Sequence, residues 1–381
     1  MNYCYAFMLL YFCASMNILM VVGEFYPVIG GAQRQCLKLA KALQARGHRV
    51  TIITVWNPRT TPQHAEVEGV SVKRVWYPQG LGFLAPVFMS IKLGKIARSF
   101  DIIHVHQALW PLFSSGIAAR WLRKPVVCKI GNSGERFDLD VLRHIHLYGV
   151  FAQWYVQRAT KKFVWTSRAV YDDLIQAGVS SERLEYIPNG VEISGTPSLI
   201  LSDSKKTTFI FTGTFTHKKN LLFLLQAIYA LPSSYQEKMQ LLSLGDGPDR
   251  QALVATVKKF GLDNCVVVDG PVDDVRPYLQ NSHVFVLPSS TEGLSNSALE
   301  AMVHGLPVIL SNRGGNVDLV HENGILIDPT NIESLCHAIT YMIDHPEERR
   351  QMGQQSRKIV EEHYAMEYVV GEYEKLYQKC V

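Results

Sequence analysis

Short apolar runs alternate with longer amphipathic stretches along most of this chain. "NILMVVG" (17–23) is an apolar run closed by a glycine and reads as a buried strand. "GAQRQCLKLAKALQARG" (31–47) follows with helical spacing. Cys36, Leu37, Ala40 and Leu43 share one face, and Gly47 ends it. "HRVTIITV" (48–55) is a second strand, so residues 17–55 form a βαβ unit and predict a parallel sheet. "VSVKRVWY" (70–77), "IIHVH" (102–106), "PVVCKI" (125–130) and "KFVWTS" (162–167) continue the strand series. A second series opens at "TTFIFTGTF" (207–215) and runs through "MQLLSLGDG" (239–247), "CVVVDG" (265–270), "HVFVLPS" (283–289), "PVILSN" (307–312) and "GILID" (324–328). Between the two lies "IPNGVEISGTPSLILSDSKK" (187–206), rich in Pro, Gly, Ser and Asp.

The pattern predicts two α/β domains, each a doubly wound parallel sheet, over residues 16–188 and 189–360. A single last helix is expected over roughly 347–380, its end (361–381) packing back toward the first domain. The carboxyl ends of the two sheets would face one central cleft, where ligands of such sheets bind. The length of 381 residues agrees, being too long for one ordinary core.

Composition adds three points. The net charge of +4 conceals an asymmetry. Residues 1–190 carry 22 Lys/Arg against 11 Asp/Glu, and residues 191–381 carry 16 against 23. A basic half suggests an anionic membrane or nucleic acid, and no nucleic-acid-reading motif is present. Seven widely spaced cysteines without a CxxC predict reduced, mostly buried thiols in a cytoplasmic protein, with neither a zinc site nor a nucleophilic Cys. The apolar leader "MNYCYAFMLLYFCAS" (1–15) lacks a basic n-region and is shorter than the roughly 20 residues that span a bilayer. It is expected to lie upstream of a true start at Met16, the alternative being a short membrane-associating tail.

Candidate chemistry sits at strand ends. In "GEFYPVIGGAQRQ" (23–35), Gly30 and Gly31 let backbone approach a ligand at a helix N-terminus, where unpaired N–H groups favour an anion. The spacing is not G-x-G-x-x-G, which argues against a dinucleotide; a glycine turn without ligand stays open. In "TGTFTHKKN" (212–220), Gly213 permits a tight turn, and Lys218 and Lys219 are placed to neutralise a diphosphate or to form a solvated turn. In "LGDGPDR" (244–250), Gly245 makes the turn and Asp246 either caps the next helix or faces a ligand. His104 and His106 share one strand face and are expected to line the cleft rather than bind metal. "DLD" (138–140) lacks the apolar strand that a metal-binding DxD follows. In "TEGLSNSALEAM" (291–302), Ser295 or Asn296 caps a helix. Glu292 precedes that helix and Glu300 lies one turn inside it. The two acids serve either the helix dipole, at about 0.3–1 kcal/mol each, or hydroxyl-rich ligands, since a carboxylate offers two acceptor oxygens to a diol.

Taken together, "EGLSNSALEAMVHGLPVI", the early "GG", "IPNGV", "GTFTHKKN" and "GDGP" resemble, in order, the motifs of the retaining glycosyltransferase family 4 with its E-x7-E signature and GT-B fold. The resemblance runs from Met16 to nearly the end. It implies sugar transfer from a nucleotide diphosphate sugar, with UDP the commonest carrier in the family, without a cofactor or bound metal. Carried over, Glu292 would contact the donor sugar's hydroxyls and Glu300 the ribose. Lys219 and the backbone at Ser295, Asn296 and Ser297, with Gly293 and Leu294 leading into it, would hold the diphosphate. Gly30 and Gly31 would approach from the first domain. Two positions depart from the pattern. Thr214 replaces the usual Arg, with Lys218 as its substitute, and Gly131, Asn132 and Ser133 stand where a first-domain His is common, leaving His106 or Asn132 for the sugar.

"APVFMSIKLGKIARSF" (85–100) mixes Val87, Phe88, Ile91, Leu93 and Ile96 with Lys92, Lys95 and Arg98. It reads as a basic amphipathic helix on an anionic membrane, or as an ordinary surface helix. The implied partners are a nucleotide-sugar donor, a glycan or lipid-linked acceptor of bacterial surface polysaccharide synthesis, peripheral contact with the inner face of the cytoplasmic membrane, and no nucleic acid. The rival readings are a GT-B-type nucleotide-sugar epimerase and a catalytically weak nucleotide-sugar-binding subunit.

Overall fold

The computed structural model describes residues 14–28, 30–56, 60–76, 84–134, 137–145, 148–193 and 206–381. The leader up to residue 13 and residues 194–205 of the interdomain stretch lie outside the described residues.

The first half runs β1 (Asn17–Val22), α1 (Gly31–Ala45), β2 (Arg49–Val55), β3 (His64–Val67), β4 (Val70–Val75), α2 (Leu84–Ala97), β5 (Ile102–His106), α3 (Trp110–Leu122), β6 (Val126–Ile130), α4 (Asp138–Arg143), α5 (Gly149–Ala159), β7 (Lys162–Trp165), α6 (Arg168–Gln176) and β8 (Leu184–Tyr186). The second runs β9 (Thr207–Thr212), α7 (Leu221–Ala230), α8 (Ser233–Gln236), β10 (Met239–Leu244), α9 (Arg250–Phe260), β11 (Val266–Asp269), α10 (Arg276–Gln280), β12 (Val284–Leu287), α11 (Asn296–Val303), β13 (Val308–Ser311), β14 (Gly324–Ile327), α12 (Ile332–Asp344), α13 (Pro346–His363) and α14 (Met366–Cys380).

The strands follow from their composition. β1, β5, β6, β12 and β13 are buried almost without interruption, because helices cover both faces of a parallel sheet and leave no strand a wet side. The first sheet has the order β3-β4-β2-β1-β5-β6-β7-β8 and is parallel except for β3. The second has the order β11-β10-β9-β12-β13-β14 and is parallel throughout. Strand order reverses between β1 and β5, and again between β9 and β12. At those two points the flanking loops diverge and open a crevice.

Three expectations need correction. The edge strand β3 is absent from the sequence reading. It joins β4 through Glu68 (φ 46°) and Gly69 (φ 82°), a two-residue turn with both centres left-handed, which suits a hairpin. The last helix is two helices. Residues 364–365 leave helical geometry, and Val191 bonds across the break, its N–H donating to the Tyr364 carbonyl (2.9 Å) and its carbonyl accepting from Met366 N–H (2.9 Å). Finally, α2 is not apolar on one side only. Leu93 is buried and Ile96 packs on the same core, while Val87, Phe88 and Ile91 are exposed.

The break redirects α14 onto the first domain. Tyr373, Leu376 and Tyr377 join the core formed by β1 and α1. The Glu374 carboxylate meets Arg46 at 2.6 Å and His48 at 3.0 Å. The chain thus crosses between the halves twice, near Gly190 and at Ala365, side by side. Leu376 is fully buried, so Leu376→Ala should cost about 2–5 kcal/mol. A urea titration following the first domain reads this as a lower midpoint; an unchanged midpoint would show that the docked helix contributes nothing.

Candidate functional site

On the second domain, Ser295 caps α11 by accepting a hydrogen bond at Oγ from Ala298 N–H (3.3 Å). The cap leaves earlier amides of the helix turned toward the crevice with the positive end of its dipole. A short turn, His217–Lys219, precedes α7 and is clasped by the β12 loop: Ser290 N–H donates to the Lys218 carbonyl at 2.8 Å. Asn220 (φ 56°) fixes its far end by donating to the Pro329 carbonyl. This clasp places the Lys219 ammonium against the Glu292 carboxylate. Glu300, one turn inside α11, receives a lysine from the other domain, Lys38 of α1, at 3.0 Å.

Asn296 ties the halves together. Its Oδ1 accepts from Gln35 (3.0 Å) and from Asn189 (2.9 Å), and its Nδ2 donates to the Gly31 carbonyl (3.2 Å). Gln35 also pairs twice with Gly190 in the crossing segment, donating to its carbonyl (2.9 Å) and accepting from its N–H (3.2 Å). Farther along, Ser133 Oγ donates to the Glu292 carbonyl at 3.3 Å, and Arg168 N–H to the Asp318 carboxylate at 2.6 Å.

The first-domain wall comes from the ends of β5 and β6. His104 and His106 do share a face, their rings stacked 4.3 Å apart. They do not both line the cleft. His104 is sealed beneath α14, where its Nδ1 meets the Tyr377 hydroxyl at 2.7 Å, and His106 alone reaches the crevice. Burial holds His104 well below the usual imidazole range and, aided by the nearby Lys129 charge, pulls His106 down to about 3. Both are neutral near pH 7. Lys129, at the end of β6, is pulled down to about 8 by burial, with Cys36 opposing weakly. Asn132 is held by Asp138, the first residue of "DLD": Asn132 Nδ2 donates to Oδ1 (3.1 Å), and Ala108 N–H donates to Oδ2 (3.1 Å). Burial raises the Asp138 pKa despite these two donors. Asp138 therefore acts as a brace for Asn132.

These walls enclose a cavity of about 730 Å³ between the domains. Of the residues singled out from the sequence, Gly30, Gly31, His106 and Asn132 line it from the first domain. Gly213, Lys219, Gly245, Glu292, Gly293, Leu294, Ser295, Asn296, Ser297 and Glu300 line it from the second. Lys218 does not; its carbonyl serves the clasp instead. Asp246 does not cap α9: its Oδ1 accepts from Gly247 N–H, and it lines the cavity. Sequence reading missed Gln35, Lys38, Lys129 and Asn189, and also an apolar corner formed by Pro271, Val272 and Val275 after β11. That corner was discoverable, since it too follows a strand end. Among the described residues, no three His, Cys, Asp or Glu side chains are grouped to hold a metal.

Comparison with known proteins gives a consistent result. The sequence model for Glycosyltransferase Family 4 matches residues 29–194, and that for Glycosyl transferases group 1 matches residues 206–345. An uncharacterized glycosyltransferase of Methanocaldococcus jannaschii is 26% identical, spanning 95% of this chain and 98% of its own. The GDP-mannose:cellobiosyl-diphosphopolyprenol alpha-mannosyltransferase of Komagataeibacter xylinus is 26% identical over 96% of this chain and 94% of its own. The UDP-Gal:alpha-D-GlcNAc-diphosphoundecaprenol alpha-1,3-galactosyltransferase of Escherichia coli is 25% identical over 84% and 87%. Among solved structures, Anabaena HepE in complex with UDP superposes with a TM-score of 0.80 at 21% identity, covering 96% of this chain and 100% of its own. HepE in complex with UDP-glucose gives 0.78 at 22%, covering 95% and 100%.

The domain contact beside Glu292 depends on a missing side chain. A Cβ on Gly293 would stand 1.8 Å from the Gly131 carbonyl oxygen, across the crevice. Gly293→Ala should therefore force the walls apart at a cost of about 1–3 kcal/mol, seen as a lower thermal midpoint and faster amide exchange around Ser133. Gly131→Ala is the control, because a Cβ there meets nothing within 4 Å. Equal melting of both variants and the wild type would contradict the contact.

Proposed function

The chain belongs to glycosyltransferase family 4 and has the GT-B fold, and on that premise we propose that it moves a sugar from a nucleotide diphosphate sugar, with retained anomeric configuration, to a hydroxyl of a lipid-linked glycan. One observation carries the reading: Glu292, Glu300, Lys219 and the capped end of α11 converge on a single cavity.

The site works by exchange of partners. Glu300 turns from Lys38 to the ribose diol. Glu292 turns from Lys219 to sugar hydroxyls, which frees the Lys219 ammonium for the diphosphate beside the α11 amides. Pro271, Val272 and Val275 offer an apolar wall for the planar base. As the bond from the anomeric carbon to the phosphate oxygen breaks, its electron pair stays with the phosphate. Lys219 and the helix amides stabilise that growing charge; losing one such preorganised donor costs about 3–4 kcal/mol. The acceptor oxygen attacks the same face, and its proton passes to the departing phosphate oxygen. No side chain is required as a covalent nucleophile. His106, neutral, and Asn132, held by Asp138, complete the sugar's surroundings from the first domain.

We assign UDP as the carrier because HepE is solved with UDP and with UDP-glucose, and the Escherichia coli relative uses UDP-galactose. The GDP-mannose of the Komagataeibacter xylinus relative is the competing carrier. Thermal stabilisation by a panel of nucleotides and nucleotide sugars separates the two.

The acceptor's class is suggested by the first domain's outer face. α2 packs on α3, and α3 on α5. Val87, Phe88 and Ile91 on α2, Trp121 on α3, and Phe151 and Trp154 on α5 are all exposed. Lys92, Lys95, Arg120 and Arg158 lie on the same helices, and Arg98 directly follows α2. Large apolar side chains among cations suit an anionic bilayer surface. Among the described residues, no helix is long and apolar enough to cross a membrane.

Two measurements test the proposal. Lys219→Ala should lower turnover by about 10²–10³-fold, and Glu300→Ala should lower kcat/KM by about 10–100-fold through the lost ribose contact. Both variants should keep the wild-type circular dichroism, and wild-type rates in either would remove the assignment. In flotation assays, the protein should rise with phosphatidylglycerol-containing vesicles and not with neutral ones, and Phe88→Glu/Trp154→Glu should weaken this. Absence of binding at low salt would refute the membrane acceptor.

A further inference from the structure

Lys129 is a charged side chain in an apolar strand, "VVCKI", and is only 7% exposed. What remains accessible faces the cavity. Among the described residues, no carboxylate and no hydrogen-bond acceptor meets its ammonium; its sole polar-to-ring contact is the face of Tyr373, 5.9 Å away. Its neighbour on the next strand is equally unfinished. His106 is 3% exposed, lines the same cavity, and has an Nε2 without a hydrogen-bond partner. β5 and β6 bring the two side by side, since His106 and Lys129 are register partners. A buried unpaired ammonium and a buried idle imidazole nitrogen are both costly, and two together on one wall mark a place that something negative completes.

The donor's diphosphate does not complete it. In the reading proposed above, on which this inference rests, that group lies on the second domain at Lys219 and α11. Lys129 is on the opposite wall, two residues before Gly131, whose carbonyl abuts Gly293. That is the side on which sugar and acceptor meet. We propose that Lys129 and His106 form a second anion subsite, which receives a carboxylate or phosphate carried by the transferred sugar or by the acceptor. Lys129 supplies the charge, and His106, protonated on Nε2, donates a hydrogen bond. Neutral substrates leave both groups stranded, so the subsite selects acidic glycans. Discrimination arises because a buried polar group left unpaired penalises the wrong ligand more than a good contact rewards the right one.

The two sources of the anion are separated by paired probes on the full-length protein. For the donor, UDP-glucuronate is compared with UDP-glucose by calorimetry. For the acceptor, glucose 1-phosphate is compared with glucose on protein saturated with UDP. In the wild type at least one pair should favour the charged probe by about tenfold or more. Lys129→Met should reduce that preference to within about twofold, Lys129→Arg should keep most of it, and UDP alone should bind all three proteins within about twofold. A preference confined to the first pair assigns the anion to the donor sugar, and one confined to the second assigns it to the acceptor. Lys129→Met removes an unpaired buried charge, so it should melt no lower than the wild type, which keeps the comparison between folded proteins. Charged and neutral probes binding alike in both pairs, or a preference that survives Lys129→Met, would overturn the subsite. If UDP fails to bind at all, the proposed function falls separately, and Lys129-dependent binding of glucose 1-phosphate or glucuronate without nucleotide still upholds or overturns the subsite.

Discussion

Across the crevice, the ion pair between Glu300 and Lys38 joins the second domain to the first at 3.0 Å, and it sets what any ligand must displace. Two carboxylates in a narrow space between low-dielectric walls cannot stand without counter-charges. Here each has one, Glu292 from its own domain and Glu300 from across the cleft. The same carboxylates that would grip a diol are therefore satisfied before any ligand arrives. A ligand must do more than fit. It must replace two lysines on the acids and then satisfy the lysines it displaces. A nucleotide diphosphate sugar carries both functions in one molecule, hydroxyls for the acids and an anion for the cations. A neutral glycan could take the acids but would leave the lysines unpaired, and a bare diphosphate would do the reverse. In the proposed function, the partner exchange would thus favour the complete donor over its fragments.

Geometry permits this exchange because the topology brings two reversal points together. The loops after β1 and β5 face the loops after β9 and β12, so an acid on the helix that follows β12 finds a base on the helix that follows β1. The halves are held in register by the Asn296 knot and by the paired hydrogen bonds between Gln35 and Gly190. Alongside runs the second crossing, where Val191 bonds to both sides of the break at Ala365. Two adjacent strands of chain define an axis about which one domain can swing, whereas sliding would break the knot at once. Opening of the cleft is accordingly expected as a hinge motion at residues 189–191 and 364–366.

What could be read from the sequence, and what could not, has a physical basis. Parallel strands covered on both faces must be apolar throughout, so "NILMVV", "VFVL" and "VILS" are legible as strands, and with the first two the loops that carry Gly30 and Glu292. The failures are residues whose neighbours are distant in the chain. Gln35 and Lys38 belong to the polar face of α1, and that face looks the same whether it meets water or Asn296 and Glu300. Lys129 interrupts an apolar run, and periodicity can only treat it as noise. Leu93 and Phe88 both satisfy helical spacing, yet one is in the core and the other in solvent. The break at Ala365 contains neither Gly nor Pro; tertiary bonding to Val191 imposes it. The strand position of His104 points it toward the cleft, and only the chain's last helix decides that it is roofed over.

The charge asymmetry between the halves shows the same separation of scales. The second half is acidic in sum, and its wall carries Asp246, Glu292 and Glu300, yet Lys219 and the positive end of α11 stand among them, so at contact distance the local placement of one ammonium and a few amides matters more than the sum. The first half is strongly basic, yet few of its cations enter the cavity: Arg34, Lys38 and Lys129. Others stand on the outer helices among exposed aromatics such as Trp121 and Trp154, the latter with Arg158 stacked 4.3 Å above its ring. Bulk charge therefore sits mostly outside, where it is felt over a Debye length of about 8–10 Å; in the proposed function this is what would draw the protein to an anionic surface. Inside, chemistry is set by individual groups whose burial makes each unpaired charge consequential. A composition count reports the first effect and is blind to the second: Lys129 is one basic residue among 22 in residues 1–190, and only its burial on the cavity wall sets it apart from the rest of that excess.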